Sequence, residues 1–164
     1  MPGGMKLWPR VYIFISGDSS GYTPLMKMYT LGHNFMPPGI HAGGLRYHGE
    51  SPLVSQLYHE KLIEAVAVPQ VATFAAGVMF AKAEGIMPAP ESCHGIRAVI
   101  DEALRCKESG EPKTLLFCLS GHGHFDMASY DRYLSGKLED LDYPKELVDA
   151  ALKELPKVDW PKVA

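Results

Sequence analysis

Phe117-Cys118-Leu119-Ser120-Gly121-His122-Gly123-His124-Phe125-Asp126 is the stretch whose reading decides the fold, because an apolar run stops there and polar, glycine-spaced residues take over. Thr114 to Leu119 is short, apolar and without a helical period, and it follows the turn-forming Ser109-Gly110-Glu111-Pro112. It therefore reads as a buried strand of an α/β sheet. Ser120 is then the first residue past the strand's carboxyl end, the edge at which open α/β sheets bind ligands. Gly121 and Gly123 let the backbone turn close to a bound molecule, Ser120 offers a hydroxyl, and His122 and His124 follow two residues apart. The same spacing suits a polar exit from a strand into a loop that binds nothing.

The segments before this stretch alternate helix and strand. Ser51 caps and Pro52 opens a helix whose apolar positions Leu53, Val54, Leu57, Tyr58, Leu62 and Ile63 form a stripe for packing on a sheet, ending near Glu64. Ala65 to Val68 reads as a short strand. Pro69 starts a second helix with an apolar face of Val71, Phe74, Ala75, Val78 and Met79, extending to Lys82, and Gly85 stops it. A third begins at Glu91-Ser92, carries Ile96, Val99, Ile100, Ala103 and Leu104 to about Lys107, and has Gly110 past its end. Glu91, an acid in a first turn, suits the helix dipole and faces the same sheet edge as Ser120. Met127 to Leu134 and Tyr143 to Leu155 read as further helices, the latter with Pro144 at its first position, and Pro156 to Ala164 as a loosely docked tail.

The first fifty residues differ. Arg10 to Ile15 makes one plausible strand, after which Tyr22 to Glu50 holds Pro24, Pro37, Pro38 and five glycines, a density that forbids a long helix. A short helical turn at Pro24 to Tyr29, capped by Thr23, is the most it allows.

The 164 residues are 46% hydrophobic and 21% charged, enough for one domain with a core. A net charge of -3 with scattered Lys and Arg gives no footprint for nucleic acid or an anionic membrane. No apolar run approaches the roughly 20 residues that span a bilayer, and no signal-peptide cleavage site follows an apolar core, so a cytoplasmic protein is expected. Cys93, Cys106 and Cys118 lack CxxC spacing and read as reduced, mostly buried thiols.

Four motifs in one order carry a family resemblance. They are Gly17-Asp18-Ser19-Ser20-Gly21 with Thr23-Pro24-Leu25; His41-Ala42-Gly43-Gly44-Leu45-Arg46-Tyr47-His48-Gly49; Glu84-Gly85-Ile86-Met87-Pro88-Ala89-Pro90-Glu91-Ser92; and Leu119-Ser120-Gly121-His122-Gly123. Together they resemble the C-terminal half of the tryptophan synthase β chain, most closely its second, TrpB-like type, over about Gly17 to Asp142. The resemblance divides the chain into an unmatched segment 1–16, a partial β-like domain 17–142, and a C-terminal helix and tail 143–164.

The resemblance implies an α/β fold with a small, mainly parallel sheet and flanking helices, the C-terminal half of a pyridoxal-phosphate (PLP) enzyme of fold type II. It implies L-serine and indole as family substrates and L-tryptophan as product, with the cofactor as electron sink. Ser120 matches the family serine whose hydroxyl meets the pyridine nitrogen, and Gly121 follows it in the cofactor-binding turn. Glu91 matches the glutamate beside the cofactor ring. Gly44 and Arg46 match the loop that closes over substrate, and the carbonyls near Tyr47 to Gly49 match a monovalent-cation site.

The departures are as specific. The family's Schiff-base lysine follows a histidine, yet no lysine here is preceded by one, and no Gly-Gly-Gly-Ser-Asn phosphate loop exists. Cys118 stands where the family usually has asparagine. Covalent attachment of PLP is therefore not expected in this chain alone. Because Met1 to Phe14 does not resemble the family segment that precedes Gly17, a truncated chain is expected, catalytic only with a complementary N-terminal half. The alternative is a non-catalytic α/β binding or interaction domain that forms homo-oligomers through an exposed apolar surface. A third reading uses His122, His124 and Asp126, with His94, as metal ligands; the family explains this stretch without metal.

Overall fold

A computed structural model describes residues 10–13, 22, 26–32, 34–141 and 143–155. The chain divides into two compact units, Met1–Pro38 with Tyr47–Ala65 and Asp142–Ala164, and Gly39–Arg46 with Val66–Leu141.

The first unit carries the one sheet among the described residues. Strands β1 (Arg10–Ile13) and β2 (Met26–Tyr29) pair antiparallel, with Arg10 opposite Tyr29 and Ile13 opposite Met26. Residues 26–29, expected as a helical turn, are thus a strand: pairing with β1 satisfies the backbone that a single turn would leave half-bonded. Phe14 and Ile15, the end of the expected first strand, and Thr23 to Leu25 lie outside the described residues.

Helix α1 (Pro52–His59) ends five residues before Glu64, and Ser51 gives it no side-chain cap. It meets β2 through Ser55, whose Oγ accepts the Tyr29 N–H at 3.1 Å, and through Tyr58, edge-on to Tyr29 at 5.3 Å. Of the predicted apolar stripe Tyr58 reaches the packed face, but Leu53 and Leu62 do not, being 79% and 71% exposed. Ser55 wins that face because its hydroxyl satisfies a strand N–H that leucine could not. Helix α5 (Lys145–Lys153), with Pro144 before its first residue rather than in it, buries Val148. The tail 156–164 is outside the described residues.

The second unit is helical. Helices α2 (Gln70–Glu84) and α3 (Pro90–Ser109) pack together, and both end on a left-handed glycine, Gly85 and Gly110, as the sequence indicated. Helix α4 (Met127–Leu134) has its predicted bounds and joins the core of Phe74, Cys93, Tyr130 and Leu138. The buried face of α2 is Gln70, Thr73, Phe74, Ala76 and Gly77, while Met79, expected inside, is 57% exposed. Small residues set this face. A Cβ on Gly77 would stand 2.5 Å from Cys93 Sγ and 2.9 Å from the Tyr130 hydroxyl. In α3 the fully buried positions are Pro90, Ser92, Cys93 and Ile96, and Leu104 at the far end of the predicted stripe is exposed.

Two expected strands do not form. Residues 64–69 and 110–120 run without regular structure or strand partners among the described residues, and Val66 and Leu116 are 76% and 94% exposed. An apolar segment becomes a strand only when neighbours take up its N–H and C=O groups, and no described residue does so here. The mainly parallel sheet is accordingly not seen among the described residues, where the only sheet is the antiparallel pair. The cysteines also differ from the reading: all are free, but only Cys93 is buried, with Cys106 intermediate and Cys118 exposed.

Candidate functional site

The start of α3 gathers the residues singled out in sequence. Pro90 occupies the first turn, where its missing N–H costs nothing, and Glu91 and Ser92 follow it. Glu91 Oε1 accepts the Gly44 N–H at 2.7 Å. A side chain on Gly44 would begin 3.1 Å from that carboxylate, which would have to give by a few tenths of an ångström. Gly44 sits in a 3-10 turn, Gly43–Leu45, closed by Leu45 N–H to Ala42 O at 3.0 Å. The segment leading into this turn is held by His41, whose N–H donates to Gln70 Oε1 at 3.2 Å and whose Nδ1 lies 3.2 Å from Ser129 Oγ. Arg46 closes the turn with its N–H on Gly43 O at 3.2 Å, and its side chain is exposed.

Ser92 joins the second motif to the first. Its hydroxyl donates to the Ser120 carbonyl and lies 3.5 Å from Ser120 Oγ. Ser120 itself is exposed. Gly121 takes a left-handed φ of 73°, and a Cβ there would meet Ala89 Cβ at 3.1 Å. His122 bridges Pro88, and Gly123 donates its N–H to Met87 O at 2.9 Å. The Ser-Gly turn is therefore laid along residues 87–90, beside the first turn of α3.

A buried hydrogen-bonded chain supports this arrangement. Tyr130 donates its hydroxyl hydrogen to Pro88 O at 2.7 Å, so the contact of Cys93 Sγ with the same hydroxyl, at 3.3 Å, has the thiol as donor. Burial pushes the Cys93 thiol up from its ordinary value, against a smaller downward pull from its hydrogen bond to Tyr130. Tyr130 is also pushed up, by burial first and by Cys93 second. Both stay neutral over the ordinary pH range.

Sequence reasoning found Gly44, Glu91, Ser120 and Gly121 and missed the parts that hold them: Ser92, Tyr130 and Gly77. Ser92 lay inside a quoted motif, and its place directly after an acid at a helix start was the available signal. Tyr130 and Gly77 gave none, because the contact between α2, α3 and α4 is tertiary.

His94, His122, His124 and Asp126 do not gather into a metal-binding group. Among the described residues no three His, Cys, Asp or Glu side chains gather to hold an ion. The His122 and His124 rings lie 4.4 Å apart, His122 Nδ1 accepts the His124 N–H at 3.2 Å, and His94 Nδ1 donates to Pro90 O at 3.0 Å. No helix among the described residues is long and apolar enough to cross a membrane.

The donors present suit one side of PLP: a hydroxyl at Ser120 and a carboxylate at Glu91, each presented from an anchored backbone. An amine is not near them on α3. At ~1.5 Å per residue Lys107 is about 24 Å along that helix from Glu91. Lys113 is bonded to Glu102 at 2.9 Å, about 16 Å along the same helix from Glu91.

No family model matches the chain. Comparison with curated proteins gives first a class, because the similarity it finds implies a piece of a PLP enzyme of fold type II. The chain is a relative of the tryptophan synthase β chains. It is 62% identical to tryptophan synthase β chain 2 of Aquifex aeolicus over 129 residues, which is 79% of this chain and 30% of that one. With β chain 2 of Methanosarcina mazei it shares 62% over 78% of its length and 29% of the relative's. With the β chain of Pyrococcus horikoshii it shares 51% over 89% and 31%. The chain thus spans about 30% of the length of the curated relatives it matches.

Proposed function

We propose that this chain supplies one side of a tryptophan synthase site, in which L-serine and indole become L-tryptophan and water, and that it acts when a complementary polypeptide supplies the Schiff-base lysine and the phosphate loop. The observation that carries this reading is the junction at the start of α3, where Glu91 holds Gly44 and Ser92 holds Ser120. When bound, PLP supplies an electron sink for bond breaking at the amino acid's α-carbon.

In this reading the protein's own groups do the positioning. The Ser120 hydroxyl would hold the pyridine nitrogen as a neutral partner rather than a charged one, which would suit replacement at the β-carbon over transamination. Glu91 would flank the ring while its carboxylate holds the Gly44 N–H, so that the loop carrying Arg46 would be tied to the same place and would cover the substrate. Residues 17–142 form a partial β-like domain, which with its missing strands restored would complete a small, mainly parallel sheet.

Mixing the chain with an N-terminal portion of a relative's β chain tests the reading. Serine-dependent tryptophan formation should appear in the mixture and fall with Ser120→Ala. The chain alone should show no imine absorbance with PLP that borohydride fixes to a lysine. A stable mixed complex without activity would instead favour the non-catalytic interaction domain, a reading that the exposed apolar segment around Leu116 also supports.

A further inference from the structure

Ser92 is 4% exposed and follows Pro90 and Glu91 in α3. A serine inside a helix ordinarily turns its hydroxyl back on the carbonyl four residues earlier. For Ser92 that carbonyl belongs to Pro88, which accepts from Tyr130 at 2.7 Å, and the Ser92 hydroxyl donates instead across the junction to the Ser120 carbonyl. A hydroxyl has one hydrogen and two lone pairs. With its hydrogen on the carbonyl, Ser92 meets Ser120 Oγ, 3.5 Å away, with lone pairs only. The hydrogen in that contact is therefore Ser120's. A bond of this length is at the outer limit and is easily given up.

The exposed Ser120 hydroxyl thus has two ways to meet a ligand. It can give its hydrogen to a ligand atom that carries a lone pair, or leave the hydrogen on Ser92 and accept from a ligand atom that carries one. Building on the reading of Ser120 above, we propose that Ser92 is a positioning residue for the ring nitrogen of a bound pyridine. It holds Ser120 by the carbonyl and, as the resting place of the Ser120 hydrogen, lets one serine meet that nitrogen with or without a proton. Without the Ser92 oxygen no other acceptor of the junction takes the hydrogen, which then stays toward the ligand and opposes an N–H. The titratable groups around the pair are Glu91 on α3, with its carboxylate on the Gly44 N–H, the exposed His122 and His124, the half-buried Asp126 before α4, and the buried Cys93 and Tyr130.

The test co-expresses the full chain with the part of the Aquifex aeolicus β chain 2 that it does not match, and measures binding of pyridoxine 5′-phosphate by calorimetry. This probe carries the pyridine ring and the phosphate but no aldehyde, so its binding needs no lysine. Affinity is read well below and well above the pH at which the free probe's ring nitrogen titrates, and the ratio of the two is compared across variants. The phosphate and the side chains named above are common to every variant and cancel from that comparison. Ser92→Ala should weaken binding at both pH values and lower the ratio of low-pH to high-pH affinity by about threefold to tenfold, the worth of one hydrogen bond. Ser92→Thr, which keeps the hydroxyl, should restore the ratio. Ser92→Cys, a weaker acceptor, should lower it in part and reads the effect if the alanine variant does not fold. In a Ser120→Ala background the ratio should no longer respond to Ser92→Ala. Equal weakening at both pH values would give Ser92 a purely structural part and overturn the inference while the function stands. A shift that persists without the Ser120 hydroxyl would overturn it also. A native complex that does not form, or that binds no probe, overturns both.

Discussion

The hydroxyl of Tyr130 donates to the carbonyl of Pro88 at 2.7 Å, tying α4 to the turn that precedes α3. Pro88 and Tyr130 are both fully buried. Tyr130→Phe would leave that carbonyl without its partner, at a cost of about 1–3 kcal/mol. Urea unfolding followed by circular dichroism should show the midpoint fall with the slope unchanged.

Gly77 measures how closely α2 and α3 approach. Gly77→Ala places a methyl 2.5 Å from Cys93 Sγ, and overpacking of this kind costs about 1–3 kcal/mol. Adding Cys93→Ala should return part of the loss. A double-mutant cycle with a coupling of roughly 0.5 kcal/mol or more would confirm the contact, whereas strict additivity would show that the helices shift instead.

Gly121 and Gly110 share nearly the same left-handed φ, 73° and 74°, but only Gly121 has a neighbour within 4 Å of where a Cβ would stand. Gly110→Ala should cost about 1 kcal/mol for the backbone alone, and Gly121→Ala more. The difference between the two unfolding free energies isolates the contact with Ala89. Equal losses would mean the Ser-Gly turn gives way without resistance.

Stability should decline in alkali. Cys93 is raised from 9.0 and Tyr130 from 10.0, so above about pH 9 the unfolded chain releases protons that the folded chain keeps. Their contribution is complete below pH 9.0 and is lost as pH rises toward the folded values. Denaturation midpoints measured from pH 8 to pH 10.5 should fall, and fall less steeply in Cys93→Ala. At the other end of the scale Glu102 is lowered by its hydrogen bonds to Lys113 and then Arg105. That exposed network should loosen as pH drops below 4.5.

Glu91 should govern the Gly44 loop. Glu91→Ala removes the acceptor of the Gly44 N–H, and at this exposed site the amide should exchange roughly five- to tenfold faster. Glu91→Gln keeps an acceptor oxygen and should fall between. No change in either variant would show that the turn is held by Leu45 and Ala42 alone.

The helices of the second unit were legible because their stop signals are local: Gly85 and Gly110 each end a helix in the left-handed region, while α3 starts at Pro90, one residue before the Glu91-Ser92 that the sequence suggested. Gly44, Glu91 and Ser120 were singled out through the family motifs; Glu91 itself holds Gly44 at α3, and what holds Ser120 there is Ser92, which no periodicity marks. Strands were not legible in the same way. Thr114 to Leu119 has a strand's composition, but a strand is a relation between segments, and no described neighbour completes it. Met26 to Tyr29 went the other way. Its Pro and Thr neighbours suggested a turn of helix, and the pairing with Arg10 to Ile13, distant in sequence, overrode them.

The turn around Gly123 separates what can vary from what cannot. A Cβ there would stand 2.6 Å from the Pro88 carbonyl oxygen, 2.9 Å from Met87 and 3.0 Å from Tyr130, so no other residue fits without moving the backbone. On either side His122, His124 and Phe125 are exposed. A library randomised at those three positions should keep the fold in nearly every member, and one randomised at 123 should return glycine. The turn is a fixed mount with interchangeable fittings, on which the chemistry offered to a ligand can be changed while the polypeptide path stays as it is.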